Sequence, residues 1–252
     1  MPRFFMAGTN ILGGMAIMKG RDAEHVRVLR LRPGEDMIIC DGQGTDYKCR
    51  LVKADKEQVE AEVIEVVRCP AEPSVKVTVL CGLPKGDKTD YIIQKSVEAG
   101  AEEILFFNSD RCVARPDKPE KKLERWQRIA EEAAKQSGRG IIPQVGWAGD
   151  FAGALDVAVK KELGLFMYET GEREALNDVL GANSGIASAA IITGPEGGFA
   201  QFEADLARIA GLHICSMGER ILRCETAPVV ALTAVCLFYT SPSPRDRSLS
   251  RM

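Results

Sequence analysis

From Val75 onward the chain alternates short apolar runs with longer stretches of helical periodicity, and this alternation limits the possible fold more than any other feature. The apolar runs lie at 75–81, 103–107, 141–145, 163–168, 186–192 and 212–215; helical patterns fill 87–99, 119–136, 150–159, 172–180, 200–210 and 227–239. Strands that are apolar on both faces and joined through helices pair in parallel beneath a helical cover, so this part reads as an α/β domain. The last two runs each open into a glycine-bearing turn, Thr193 to Gly198 and Met217 to Ala227. At the carboxyl edge of a parallel sheet such turns let the backbone approach a ligand closely, and the following helix start offers N–H groups. Ordinary strand-to-helix turns would account for the glycines. They would not account for Arg220, Arg223 and Glu225 set beside Ile221 and Leu222.

Upstream the pattern changes. Alternating segments at 36–40, 46–52 and 58–67 are separated by Pro33-Gly34, Asp41 to Gly44 and Ala54 to Lys56, which predicts a small antiparallel β-barrel. Cys69 to Pro73 reads as a stiff connector. The expected domains are therefore a barrel over 1–72, an α/β domain over 73–239 and, at 240–252, a polar Pro- and Arg-containing tail that reads as non-native or disordered. A hydrophobic content of 45% in 252 residues suffices for packed cores, and a net charge of −3 rules out a uniformly basic coat but not a local RNA-binding surface. The eight cysteines include no CxxC pair and read as reduced thiols. No apolar stretch reaches the length of a membrane span, which points to a cytoplasmic protein. A nucleotide-binding enzyme of unrelated chemistry is disfavoured, since there is no GxxxxGK[ST] string and no GxGxxG after the first α/β strand.

The two turns carry a resemblance. Gly194 to Phe199 (GPEGGF) and Gly218 to Ala227 (GERILRCETA) are similar to the cofactor motifs of the RsmE-type 16S ribosomal RNA uridine-N3 methyltransferases, members of the SPOUT class. Met1 to Phe5, Lys85 to Lys88 and Glu132 to Arg139 agree with that family in order and spacing, so the resemblance covers roughly residues 1–239. It implies a PUA-like barrel that binds RNA, a SPOUT domain with a trefoil knot, S-adenosylmethionine as cofactor, no metal, a homodimer, and methylation of a uridine in the 16S RNA of the small ribosomal subunit. A non-catalytic ribosome assembly factor with the same fold is the alternative. One departure is Ala200, where such motifs usually carry a capping serine; Glu203 then lacks its capping-box partner, at a cost of about 1 kcal/mol.

Site expectations follow. The cofactor is expected against Thr193, Gly194, Gly197, Gly198, Met217, Gly218, Ile221, Leu222, Thr226 and Ala227, with Met217 and Leu222 as apolar walls. Without the resemblance, core packing explains those two equally well. Uridine N3 must lose a proton before it attacks a methyl group, so the chemistry asks for stabilisation of a developing negative base and for a proton acceptor. Arg223 is assigned to the developing negative base or to the cofactor carboxylate, and Glu225 or Glu169 to the proton, directly or through water; a buried, purely structural Arg223–Glu225 salt bridge competes with that assignment. RNA contacts are expected from Arg3, Lys85, Arg111, Arg115, Gln136, Ser137 and Arg139, and Lys88 is a further candidate beside Lys85. Arg27 and Arg30 read equally well as the outer face of a short helix whose apolar side is Val26 and Leu29.

Overall fold

The computed structural model describes residues 1–6, 11–55, 57–113 and 120–240 and divides into two compact units. The first comprises Met1–Glu72 together with Ala134–Ile142. Its elements are β1 (Arg3–Phe5), β2 (Ile11–Leu12), β3 (Met15–Lys19), α1 (Gly20–Val28), β4 (Asp36–Cys40), β5 (Thr45–Ala54) and β6 (Gln58–Arg68). They form a six-stranded sheet in the order β1-β4-β5-β6-β3-β2. The sheet is not wholly antiparallel as expected: β1 pairs in parallel with β4. Phe4, Met18, Val26, Met37, Ile39, Leu51 and Val59 fill the core. A register shift between Lys48 and Cys49 changes the parity of β5, so that Asp46 on one side of it and Cys49 and Leu51 on the other are all buried. Leu29 follows α1 and is exposed, so only Val26 supplies the expected apolar side, while Arg27 donates to the Asp55 carbonyl at 3.0 Å.

The expected boundary at residue 72 leaves out the return of Ala134–Ile142 to this unit. Glu72 holds that segment: its Oε1 accepts from the backbone N–H of Gly140 (2.7 Å) and Ile141 (3.0 Å), and its Oε2 from Arg139 Nη2 (2.6 Å). Gly140 passes so close to Cys69 that a β-carbon would stand 2.4 Å from Cys69 Cβ, which only glycine avoids.

The second unit comprises Pro73–Ala133 and Pro143–Met252. In chain order it contains β7 (Lys76–Gly82), α2 (Lys88–Glu98), β8 (Glu103–Asn108), α3 (Glu120–Ser137), whose last turn belongs to the first unit, β9 (Gln144–Asp150), α4 (Phe151–Ala158), β10 (Leu163–Met167), β11 (Glu174–Ala175), α5 (Leu176–Ala182), β12 (Ser188–Thr193), α6 (Gln201–Ile209), β13 (His213–Ser216) and α7 (Ala227–Thr240). Seven parallel strands run in the order β11-β13-β10-β12-β7-β8-β9. Two differences from the sequence reading have local causes. β9 starts after Pro143 because Ile141 bridges to Gln43, while the Gln127 carboxamide donates to the Pro143 carbonyl and accepts from the Val145 N–H. β11 is a two-residue edge strand, too short to leave a periodicity.

The core that supports the glycine turns is aromatic. Phe199 is buried with its ring centroid 4.4 Å from that of Phe166 and 5.9 Å from that of Phe151, and Phe107 stacks on it at 6.5 Å. This cluster fixes the residue that immediately follows the first turn. Of the tail, Thr240 ends α7; residues 241–252 lie outside the described residues. No disulfide joins the eight cysteines. Among the described residues no helix is long and apolar enough to cross a membrane, and no group of three or more His, Cys, Asp or Glu side chains is placed to hold a metal ion.

Candidate functional site

Because all seven strands are parallel, the ends of β10, β12 and β13 open on the same edge of the sheet. A cavity of about 390 Å³ lies there, within the range of small-molecule sites. Its floor is Met167, Thr193 and Cys215; the two glycine turns wall it, and Lys88 and Ala227 bring in the starts of α2 and α7.

The first turn is closed by a hydrogen bond from Gly198 N to the Pro195 carbonyl, 2.9 Å. Phe199 anchors it on one side and β7 on the other: a β-carbon on Gly82 would lie 2.5 Å from Pro195 Cδ and 2.8 Å from Pro195 N, so glycine at the end of β7 is what lets the turn sit down on the sheet. Glu196 projects from this turn and accepts from Lys85 N and Lys88 Nζ, both at 3.0 Å. Burial raises the Glu196 pKa, but hydrogen bonds from backbone N–H groups and from Lys88 outweigh it and hold the carboxyl below the usual range. Chiefly through its hydrogen bond to Glu196, and against the opposing effect of desolvation, Lys88 is held above the usual lysine range.

The second turn has Gly218 at φ +92°, and the Arg223 carbonyl accepts from Thr226 N (2.8 Å) and Ala227 N (2.9 Å), setting the start of α7. Met217, Gly218, Ile221, Leu222, Thr193, Gly194, Gly198 and Ala227 line the cavity. Thr226 shapes the helix start and is not among the lining residues. Gly197 is not among them either. Its backbone packs on Arg111, whose Nη1 donates to the Gly197 carbonyl at 3.2 Å, so this glycine makes room for an arginine.

The three expected catalytic residues differ in their surroundings. Arg223 is at the rim with its side chain 84% exposed and 4.0 Å from Glu225, so the buried structural pair does not form. Glu225 turns instead to Lys88 (3.3 Å) and accepts from the Cys224 thiol (3.2 Å). Burial raises its pKa, but hydrogen bonds from its own backbone N–H, Cys224 and Lys88 hold it below the usual range. Burial pushes the Cys224 thiol up to about 12, which keeps it a neutral donor at neutral pH. Glu169 lines the cavity and is exposed, and its carbonyl accepts from Arg173 Nη1 at 2.6 Å.

The expected RNA contacts fare unevenly. Lys85 and Arg111 are exposed. Arg3 is corrected: both its terminal nitrogens bind the buried Asp46 carboxylate, at 2.6 and 2.7 Å, leaving 13% of its side chain exposed. Arg139 is corrected as well, with 3% of its side chain exposed against Glu72. Gln136 is exposed, whereas the Ser137 hydroxyl donates to the Ala134 carbonyl at 3.5 Å. Arg115 lies outside the described residues.

Sequence reasoning missed Met167, Tyr168, Arg173 and Ser216 as lining residues. Their one available signal was position, at or just past the end of a parallel strand. It also placed Lys88 as an RNA contact rather than between two carboxylates.

Comparison with known proteins gives this geometry its setting. Residues 71–236 match an RNA methyltransferase domain and residues 19–64 an RNA methyltransferase PUA domain. The chain is 37% identical over 223 residues to Ribosomal RNA small subunit methyltransferase E of Bacillus subtilis, covering 86% of this chain and 87% of the relative. To the protein of the same name in Mycobacterium bovis it is 34% identical over 234 residues, covering 88% and 86%. The crystal structure of Ribosomal RNA small subunit methyltransferase E from Neisseria gonorrhoeae bound to S-adenosyl methionine superposes with a TM-score of 0.79 at 32% identity, covering 95% of this chain and 98% of that one. A PUA-like unit followed by a parallel α/β unit whose glycine turns enclose a ligand-sized cavity, matched along most of its length, places this chain in the ribosomal RNA small subunit methyltransferase E family.

Proposed function

We propose that the protein methylates N3 of a uridine in the 16S RNA of the small ribosomal subunit, with S-adenosylmethionine as methyl donor. The observation that carries this reading is the cavity at the carboxyl edge of the sheet, enclosed by the turns at 193–198 and 217–222, in a chain of this family.

The cavity suits the cofactor's mixed chemistry. Met167, Met217 and Leu222 offer apolar surface for a flat base, while Thr193, Gly194 and Gly218 keep polar backbone close by. When bound, S-adenosylmethionine supplies an electrophilic methyl group on a sulfonium. The chain's own residues do the rest. Glu169, exposed in the cavity and not committed to the Lys88 cluster, accepts the N3 proton directly or through water. Arg223 at the rim stabilises the uridinate charge as it develops. Arg173, Arg220 and the nearby Arg111 face the polyanionic substrate from exposed positions. The remaining requirement is orientation of the attacking nitrogen, which walls built on strand ends can impose.

The trefoil knot and the homodimer belong to the same reading. Val230, Leu237 and Phe238 on α7 and Tyr91 on α2 leave an exposed apolar surface, which suits an isologous contact between two copies in the cytoplasm.

The test is methyl transfer from labelled S-adenosylmethionine to small subunits lacking the native modification, read by nucleoside mass spectrometry. N3-methyluridine, lost in Arg223→Ala while cofactor binding persists, is the expected result. A different methylated nucleoside overturns the substrate assignment. Subunit binding without transfer, despite bound cofactor, would favour an assembly factor.

A further inference from the structure

We propose that Lys88 is a positioning residue for the cofactor cavity: its ammonium joins the two glycine turns by binding a carboxylate from each. The proposal deepens the reading that this cavity takes S-adenosylmethionine. Lys88 is the first residue of α2, and its Nζ lies 3.0 Å from Glu196 Oε1 in the first turn and 3.3 Å from Glu225 Oε2 in the second. Cys224 Sγ stands 3.6 Å from the same nitrogen and donates to Glu225. Glu196 is held a second time from this segment, by the Lys85 N–H at 3.0 Å. Residues 85–88 thus strap the first turn through backbone and side chain together, and only the side chain reaches on to the second.

The charge arithmetic makes the ammonium more than one bond among many. Two carboxylates converge on a single cation in a partly solvated cluster, with side chains 34%, 30% and 18% exposed for Lys88, Glu196 and Glu225. Remove the cation and the carboxylates repel, driving apart the two walls between which the cofactor must fit. An RNA phosphate reaching Lys88 would have to displace these partners, whereas Lys85 and Arg111 stand exposed nearby.

The experiment compares wild type with Lys88→Met, Lys88→Arg and Lys88→Met/Glu196→Gln. It measures the S-adenosylmethionine dissociation constant by calorimetry, the KM for small subunits and the melting temperature. In Lys88→Met the cofactor dissociation constant rises about tenfold, the scale of one lost charge-assisted hydrogen bond, while the KM for subunits moves less than about twofold. Lys88→Arg, able to bind both carboxylates, stays within about threefold of wild type, and Glu196→Gln added to Lys88→Met recovers part of the loss because the repulsion is gone. Unchanged cofactor affinity in Lys88→Met, or a loss confined to the KM for subunits, overturns the proposal. Should Lys88→Met not fold, Lys88→Arg decides: a tenfold loss of cofactor affinity there also overturns it. Failure of the wild type to bind S-adenosylmethionine would instead refute the functional reading on which it rests.

Discussion

Replacing Arg139 by alanine separates two roles for a residue that reads in the sequence as an RNA contact and in the structure as a buried partner of Glu72. The side chains of Arg139 and Glu72 are 3% and 5% exposed. Truncation strips Glu72 Oε2 of its 2.6 Å partner, while Oε1 keeps the N–H groups of Gly140 and Ile141. Breaking a buried pair by removing one member costs about 3–5 kcal/mol, and the two surviving N–H bonds place this case at the lower end. For a unit this small, about 3 kcal/mol lowers the melting midpoint by on the order of 10–20 °C. Calorimetry and urea denaturation should show this loss, with Arg139→Lys intermediate because an ammonium cannot reproduce the two-pronged contact. Pairing Arg139→Met with Glu72→Gln should recover part of it, since neither charge is then left unpaired. Small-subunit binding, measured at a temperature where every variant is folded, should be little changed. A melting point within about 2 °C of wild type together with weakened subunit binding would refute the structural role and reinstate the RNA contact.

Two further outcomes test the site's supports. Ala200 has no side-chain acceptor, so α6 has only the reciprocal half of a capping box: buried Glu203 accepts from Ala200 N at 2.8 Å and from Asp110 N at 3.1 Å. Ala200→Ser supplies the missing acceptor and should stabilise the protein by about 1 kcal/mol, seen as a higher urea midpoint with unchanged slope; no gain would show the helix start already satisfied. Glu196, with its folded pKa below the ordinary value of 4.5, contributes stability that is present above that pH and lost as pH falls through the depressed value. The melting-temperature difference between wild type and Glu196→Gln should therefore hold steady near neutrality and shrink in acid. A difference that grows on acidification contradicts the arrangement.

The alternation of strands and helices in the second unit, and the position of both turns, are legible in the linear chain. Those features are local: apolar runs report burial on both faces, helical spacing reports one buried stripe, and glycine marks where a side chain would collide, as at Gly140 against Cys69. The family motifs added the ligand class, and the cavity gathers most of the residues they named. What each charge does was decided by tertiary structure alone. Arg3 finds Asp46 across 43 residues of chain and Arg139 finds Glu72 across 67, so two cations that read as RNA contacts serve the first unit's interior instead. Gly197 serves Arg111, and Lys88 stands between carboxylates from two turns far apart in the chain. A residue's type reveals that it carries a charge or lacks a β-carbon. Which partner meets it is settled only when distant segments close on one another, because burial strengthens the pairings that closure creates and makes an unpaired charge too costly to leave there.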